Sequence, residues 1–266
     1  AMPASAEILR NFELTGDVQV VASDVRHNSA AQDFTTGTNL RVLAGGSFDV
    51  AENVRANLMF QYLNTWGSGP TVDSASTVGT IGKSANDYLD DIRVVEANVE
   101  MKEIFGWLDV KVGRQFYGDE DSTVMYIGPR YYNAELNAAN AYNYATALDA
   151  AKLSYANDYV NVNVIAGEVE QYLAAPGPND DEKHGMYGVD AKFRFNDEIS
   201  AQVYGYNFKS LMEVDNFGFY GGKVTFAPEA FLVSAEYARN FEGDRVLKES
   251  HDNPYMVKAD VKAFFD

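Results

Sequence analysis

The chain of 266 residues contains no cysteine and only seven prolines. Without cysteine it has no disulfide framework, no thiolate metal site and no cysteine nucleophile. It also lacks an uninterrupted apolar run of the roughly 18 residues that a transmembrane helix requires. This excludes a membrane-spanning helix, but it does not exclude a membrane, because the strands of a membrane β-barrel are short and only half apolar.

Basic residues are also scarce, since 21 Lys and Arg stand against 39 Asp and Glu and give a formal net charge of −18. Nucleic acid is therefore excluded as a partner, because its phosphates would be repelled. The sequence has no phosphate-binding glycine motif and no GxSxG or HExxH signature. We expect no enzyme activity and no bound cofactor.

What the sequence does contain is period-two alternation of apolar and polar residues. In residues 39–60, Val42 and Phe48 alternate with Arg41 and Asp49. Such alternation is typical of a β-strand with one apolar and one polar face. The pattern recurs along the chain and predicts about twelve strands, each near the roughly 9–11 residues that cross a bilayer at a tilt.

The run DIRVVEANVEMK is interpreted in the same way, with Val95, Ala97 and Val99 on the apolar face and Glu96 on the polar face. The polar faces carry both signs of charge in nearly equal number, as in the hydrated interior of a channel. The predicted pore-lining residues are Arg41, Arg55, Glu96, Glu100, Lys102, Asp109, Lys111, Asp190, Lys192, Arg194, Lys258 and Lys262.

The connections between the predicted strands alternate between short and long. Tight turns such as VAEN, KEIFG, FNDE and APEA are followed by long connections at 24–38, 66–90, 118–146, 172–184, 209–216 and 242–253. A soluble sandwich gives no reason for this alternation, whereas an outer-membrane barrel has short periplasmic turns and longer extracellular loops.

The pattern therefore predicts an all-β fold, a transmembrane antiparallel up-and-down β-barrel in the bacterial outer membrane. About twelve strands lie in this chain, which either closes at twelve or is the front part of a larger barrel of about eighteen strands. Residues 1–11 are predicted to be a periplasmic N-terminal segment, and residues 12–266 the barrel domain.

The connection 118–146 is rich in Tyr and Asn, and loops of this length are usually functional or disordered. We expect it to fold into the lumen and narrow it; the alternative is an extracellular cap. Its charged residues would then set selectivity, as charged rings do in pores: Asp119, Glu120, Asp121, Arg130 and Glu135. Asp119 and Asp121 are weak candidates for Ca²⁺ ligands, but the spacing matches no EF-hand loop and favours a solvated acidic loop.

The segment VKVGRQFYGDEDSTVMYIG (110–128), followed by LDAAKLSYANDYVNVNVIAG, resembles the alginate-export-type porin family over about sixty residues. Gly113, Arg114 and Gln115 correspond to the family's strand-end motif. The resemblance implies an outer-membrane channel, in the family's best-known members a barrel of roughly eighteen strands that passes an anionic polysaccharide. The balanced charges here differ from the basic channel of those exporters, so the substrate does not carry over.

The expected function is passive transport, a porin-like channel for small hydrophilic solutes or ions in contact with the lipid bilayer. The acidic loops favour a weak cation preference at its mouth. The rival interpretations are a non-conducting structural or adhesive outer-membrane barrel that displays acidic loops, and a soluble extracellular all-β binding domain. The sequence leaves open whether copies of the chain associate into a homo-oligomer.

Overall fold

The computed structural model of the chain describes residues 10–25, 35–66, 92–118, 124–129, 147–170, 183–210, 217–243 and 255–264. Within these ranges the secondary structure is β-strand, and no helix there is long and apolar enough to span a membrane. The strands are β1 (Arg10–Val25), β2 (Thr35–Ala51), β3 (Val54–Trp66), β4 (Ile92–Ile104), β5 (Leu108–Gln115), β6 (Tyr117–Gly118), β7 (Tyr126–Ile127), β8 (Leu148–Ala156), β9 (Val160–Glu170), β10 (Lys183–Arg194), β11 (Ile199–Ser210), β12 (Phe217–Phe226), β13 (Phe231–Gly243) and β14 (Tyr255–Ala263).

Twelve of these strands form one sheet in the order β1-β2-β3-β4-β5-β8-β9-β10-β11-β12-β13-β14, while β6 and β7 form a separate two-stranded ribbon. Successive strands of the sheet are neighbours, so the connectivity is up-and-down. The predicted all-β, antiparallel architecture of about twelve strands is confirmed. The chain divides into two compact units, built from Ala1–Val99, Gly113–Leu148 and Gln171–Asp181, and from Glu100–Val112, Asp149–Glu170 and Glu182–Asp266.

Two short turns of the second unit are each stabilised by an asparagine side chain. The Asn157 side-chain oxygen accepts hydrogen bonds from the backbone N–H groups of Tyr159 and Val160, both at 2.9 Å. The Asn196 side-chain oxygen accepts from the N–H groups of Glu198 and Ile199, at 2.9 and 2.7 Å. Asn stabilises tight turns by satisfying backbone donors close by. The residues at these two turns therefore explain why the connections remain short.

The long predicted connections fall mostly outside the described residues. The adjoining strands extend into them by a few positions, since β1 ends at Val25, β10 begins at Lys183 and β13 ends at Gly243. At the other end, β1 begins at Arg10, two residues before the predicted start of the barrel domain. At the start of the connection 118–146 the structure contains the β6–β7 ribbon, which begins one residue earlier at Tyr117 and was not predicted.

Apolar side chains on one face of the sheet are exposed and several charged side chains on the other face are buried, the reverse of the pattern in a water-soluble protein. On the apolar face, Leu14 is 80% exposed and Val257 is 70% exposed. On the polar face, Arg41 is 1% exposed and Glu236 is 4% exposed. A soluble protein would bury the aliphatic side chains and solvate the charged ones. This distribution is that of a barrel wall whose apolar face contacts lipid.

One predicted face assignment is wrong, at Val95 in β4. Ile92 and Val94 are exposed and so are Ala97 and Val99, but Val95 is buried. The alternation therefore shifts by one residue near Val95, as it does where a β-bulge inserts an extra residue and redirects a side chain. Strict period-two reasoning cannot detect such a shift, because an apolar residue fits either phase.

Candidate functional site

The polar face of the first unit is organised around Arg41 in β2. Its side chain is fully buried, and one guanidinium nitrogen lies 3.3 Å from a carboxylate oxygen of Asp17 in β1. The antiparallel register places Gln19 opposite Arg41 and Asp17 opposite Leu43, so the ion pair runs diagonally between adjacent strands. Arg41 was predicted to line the pore, and it lies on the predicted face.

Arg55, the second predicted pore-lining arginine of this unit, connects three strands. From β3 it donates to the Glu13 carboxylate in β1 and to the Ser47 hydroxyl in β2, both at 2.5 Å, and it lies 3.4 Å from the Asp49 carboxylate. Asn11 donates to the same Asp49 side chain at 2.6 Å. Arginine suits this position because its planar guanidinium presents several donors at once.

The third polar contact of the first unit involves the motif of the family resemblance. Asn98, 5% exposed, accepts a hydrogen bond from the Asn57 side chain and donates to the Arg114 carbonyl, each at 2.8 Å. Gly113 has φ +117, and a Cβ there would collide with the carbonyl oxygen of Ala97. Glycine is therefore required at this point of the strand, for both its conformation and its close backbone contact.

An apolar cluster interrupts this polar face. Leu43 and Val95 are each 4% exposed, and Met59 and Phe116 pack against them. Phe116 belongs to the chain that has just left β5, so that chain lies against the polar face rather than pointing away from it. Sequence reasoning missed this cluster because Val95 was assigned to the opposite face.

In the second unit, four predicted pore-lining residues act electrostatically on Lys152 in β8. These are Glu100, Asp109, Lys111 and Asp190. Asp190 also accepts a hydrogen bond from the Asn163 side chain at 3.1 Å, and Asn163 accepts from the Ser154 hydroxyl at 2.8 Å. Lys152 therefore lies in the field of charges of both signs, and Asp190, Asn163 and Ser154 are joined by hydrogen bonds.

The registers of β10 to β14 align a second group of charged residues across the sheet. One transverse row, from β10 to β14, consists of Lys192, Gln202, Lys223, Glu236 and Lys258. Neighbouring members of such a row are separated by roughly 5 Å between strands.

Glu236 in this row is buried and accepts a hydrogen bond from the Tyr204 hydroxyl at 2.8 Å. Lys258 lies 3.0 Å from the Asp260 carboxylate. Among the remaining predicted pore-lining residues, the exposed ones are Lys102, Lys192, Arg194 and Lys262. Glu96, in the first unit, is half-buried.

Farther from the short turns, the same face of the second unit becomes aromatic. Tyr204, Tyr206 and Phe219 are buried, with ring centroids 5.4 to 6.5 Å apart. Phe208 stacks on Phe219 at 5.9 Å. The Tyr206 ring occupies the space where a side chain at Gly188 would lie. The aromatic cluster depends on glycine in the neighbouring strand.

The predicted constriction residues Asp119, Glu120, Asp121, Arg130 and Glu135 lie outside the described residues. The Ca²⁺ candidates Asp119 and Asp121 are among them. In the part of the chain that the structure describes, no group of three or more His, Asp or Glu side chains is arranged to hold a metal ion.

Several solved outer-membrane structures are similar to the chain. OprB of Pseudomonas putida matches with a TM-score of 0.55 and 12% identity, over 96% of this chain and 71% of that chain. OccAB4 of Acinetobacter baumannii matches with a TM-score of 0.52 and 12% identity, over 95% and 63%. OccK9 of Pseudomonas aeruginosa matches with a TM-score of 0.52 and 12% identity, over 94% and 63%. The chain thus spans 63% to 71% of the length of these proteins.

No protein-family model and no curated protein sequence matches the chain. The structural matches are to outer-membrane porins and give no support to the narrower resemblance to the alginate-export type. At 12% identity they show the fold. The chain has the β-barrel fold seen in bacterial outer-membrane porins, and this is the fold that the predicted outer-membrane location requires.

Proposed function

We propose that the chain forms a porin-like channel in the bacterial outer membrane and admits small hydrophilic solutes or ions by passive diffusion. The observation that supports the proposal is the exposure of the two faces of the sheet, which is the reverse of that in a water-soluble protein. The exposed aliphatic side chains, such as Leu14 and Val257, suit lipid, while the opposite face carries charged residues of both signs. A sheet with this distribution, closed into a barrel, encloses a polar path that requires no cofactor.

We further propose that the connection 118–146 narrows this path. Phe116 packs on the polar face of the first unit, against Leu43 and Val95, so the chain enters the connection on that side. Met125 and Ile127 are 6% and 8% exposed, although they lie within the connection. These burials support an inward course, and the acidic residues at 119–121 would then lie in the conducting path.

Planar-bilayer recording of the refolded protein tests both statements. The full chain should give discrete single-channel steps, and deletion of 122–140 should increase the conductance of each step, because it removes the constriction. Deletion of an equally long stretch, 70–88, from the connection 66–90 is the matched control and should leave the conductance close to that of the full chain. Unchanged conductance after the first deletion would rule out the constriction.

A non-conducting structural or adhesive barrel is the second candidate, favoured by the deep burial of polar-face residues. Gln61 and Gln115 are 1% and 0% exposed, values that a wall facing open water would not produce. Such a barrel would be filled and would display its acidic loops to partners. Absence of any conductance in correctly folded, heat-modifiable protein would establish this alternative over the channel.

A further inference from the structure

The lipid-facing side of β13 carries an arginine in a series of otherwise apolar positions. Val233 and Tyr237 are exposed on this side, and the alternation of the strand places Arg239 next in the same series. The register is regular at this point, because Arg239 is opposite Tyr220 in β12 and opposite Tyr255 in β14. The Arg239 side chain therefore belongs to the lipid-facing surface and not to the polar face.

The position of Arg239 along β13 corresponds to the boundary of the membrane. It lies eight residues after Phe231, the residue that begins β13 beside a short turn. A rise of about 3.3 Å per residue, along a strand tilted by about 40°, separates the two residues by about 20 Å across the membrane, and the apolar band of such barrels is about 25 Å tall. Arg239 thus lies at the level of the lipid headgroups, on the side of the long connections, which is the extracellular side.

Two tyrosines flank Arg239 at this level. Tyr220 is 45% exposed and Tyr255 is 72% exposed. Side chains directly opposite one another in antiparallel strands have Cβ atoms about 5 Å apart, so both rings lie next to the arginine. A guanidinium group forms paired hydrogen bonds with phosphate oxygens, and a tyrosine hydroxyl can donate a further one. The three side chains together suit a phosphate group.

A groove on the same surface begins beside Tyr220. The residue opposite Tyr220 in β11 is Gly205, and the atom nearest to a Cβ added there is the Tyr220 Cβ, 4.0 Å away. Gly222, nearer to the short turns, is opposite Val203 on one side and Tyr237 on the other. Two glycines at diagonal positions of adjacent strands leave a depression with aliphatic and aromatic walls. Such a depression suits an acyl chain that extends from the headgroup level into the apolar band.

The exposed charges on the lipid-facing side also differ between strands near the long connections. Asp149 in β8 and Glu168 in β9 are acidic, whereas Lys209 in β11 and Arg239 in β13 are basic. An anionic headgroup is therefore repelled from β8 and β9 and attracted to β11–β13.

We propose that Arg239, Tyr220 and Tyr255 bind the phosphate of an outer-leaflet lipid, one of whose acyl chains lies in the groove at Gly205 and Gly222. The ligand class is a phosphorylated glycolipid of the kind represented by lipid A. A free phosphate lacks the chain that the groove accommodates, and an uncharged lipid lacks the group that Arg239 pairs with. The site lies on the outer surface of the barrel, so it does not depend on whether the barrel conducts.

The first test measures binding of bisphosphorylated lipid A to the refolded chain in detergent micelles by native mass spectrometry. Arg239→Gln should weaken binding by about tenfold, because a charge-assisted contact is lost. Arg239→Lys should recover part of the affinity. Arg194→Gln is the matched control, since it removes an exposed arginine from the polar face beside a short turn, and it should bind as the unsubstituted chain does. Equal binding by Arg239→Gln and the unsubstituted chain would overturn the site.

Two further probes identify what the site recognises. Dephosphorylated lipid A should bind the unsubstituted chain about as weakly as lipid A binds the Arg239→Gln variant. If it binds as tightly as the phosphorylated form, recognition of phosphate is rejected. Inorganic phosphate in large excess should leave most of the lipid A bound, and complete displacement by it would reject a lipid as the ligand.

The groove is tested by filling it. Gly205→Leu places an aliphatic side chain where a Cβ meets no close neighbour, so the barrel should fold with its usual heat-modifiable gel mobility. Binding of lipid A should nevertheless fall severalfold, because the side chain occupies the space of the acyl chain. Ala259→Leu is the control, since Ala259 is an exposed position of the same surface in β14, away from the groove. Equal affinity for lipid A in these two variants would overturn the role of the groove.

Discussion

The polar faces of β1–β3 and of β10–β14 arise from the same period-two pattern but are stabilised by different chemistry. In β1–β3, arginines connect neighbouring strands through carboxylates, as Arg41 does with Asp17 and Arg55 with Glu13. In β10–β14, the Tyr204 hydroxyl binds Glu236 and aromatic rings pack over glycine. The alternation therefore determines which face of the sheet a side chain lies on. The side chains next to it on the neighbouring strands determine which contacts stabilise it there.

The largest expected effect is on the arginine-based face. Arg41→Ala leaves the Asp17 carboxylate without its buried partner and should lower the free energy of unfolding by about 3 kcal/mol. Arg55 is itself 24% exposed and its partner Glu13 is 69% exposed, so Arg55→Ala should cost only about 1 kcal/mol. Urea unfolding in detergent micelles measures both, and equal losses would show that burial does not distinguish the two arginines.

An intermediate effect is expected where the second face depends on glycine. A Cβ at Gly221 would collide with the Tyr237 carbonyl oxygen and lie 2.7 Å from the Tyr204 hydroxyl, which binds Glu236. Gly221→Ala should therefore destabilise the protein by about 2 kcal/mol. Gly205→Ala is the control, because the nearest atom to its Cβ is 4.0 Å away. If both variants unfold at the same urea concentration, the aromatic packing does not require a glycine there.

The smallest expected effect concerns selectivity rather than stability. Replacing Lys192, Lys223 and Lys258 by Gln removes three positive charges from one row of the second face. The reversal potential in a KCl gradient should shift by a few millivolts towards cation preference, because cations would be repelled less there. The corresponding Lys→Arg variant keeps the charge and should show no shift. An equal shift in both variants would indicate a change of shape instead of charge.

Much of the fold follows from the sequence, for reasons visible in particular elements. The alternation of Arg41 and Val42 identifies a two-faced strand, and the Asn residues at positions 157 and 196 mark tight turns. The β6–β7 ribbon was missed because two-residue strands have no measurable period. Val95 was misassigned because Val94 and Val95 are both apolar, so the sequence pattern does not show where the alternation shifts by one residue.

The sequence by itself determined the strand-rich architecture, the lipid-compatible face and the mixed charge of the polar face, since these depend on local periodicity and on side-chain polarity. The tertiary structure decided which charges pair, which glycines make room for Tyr204 and Tyr206, and where Phe116 docks. Those features depend on the register between strands distant in sequence. Register is a property of paired strands, and a single strand read alone does not contain it.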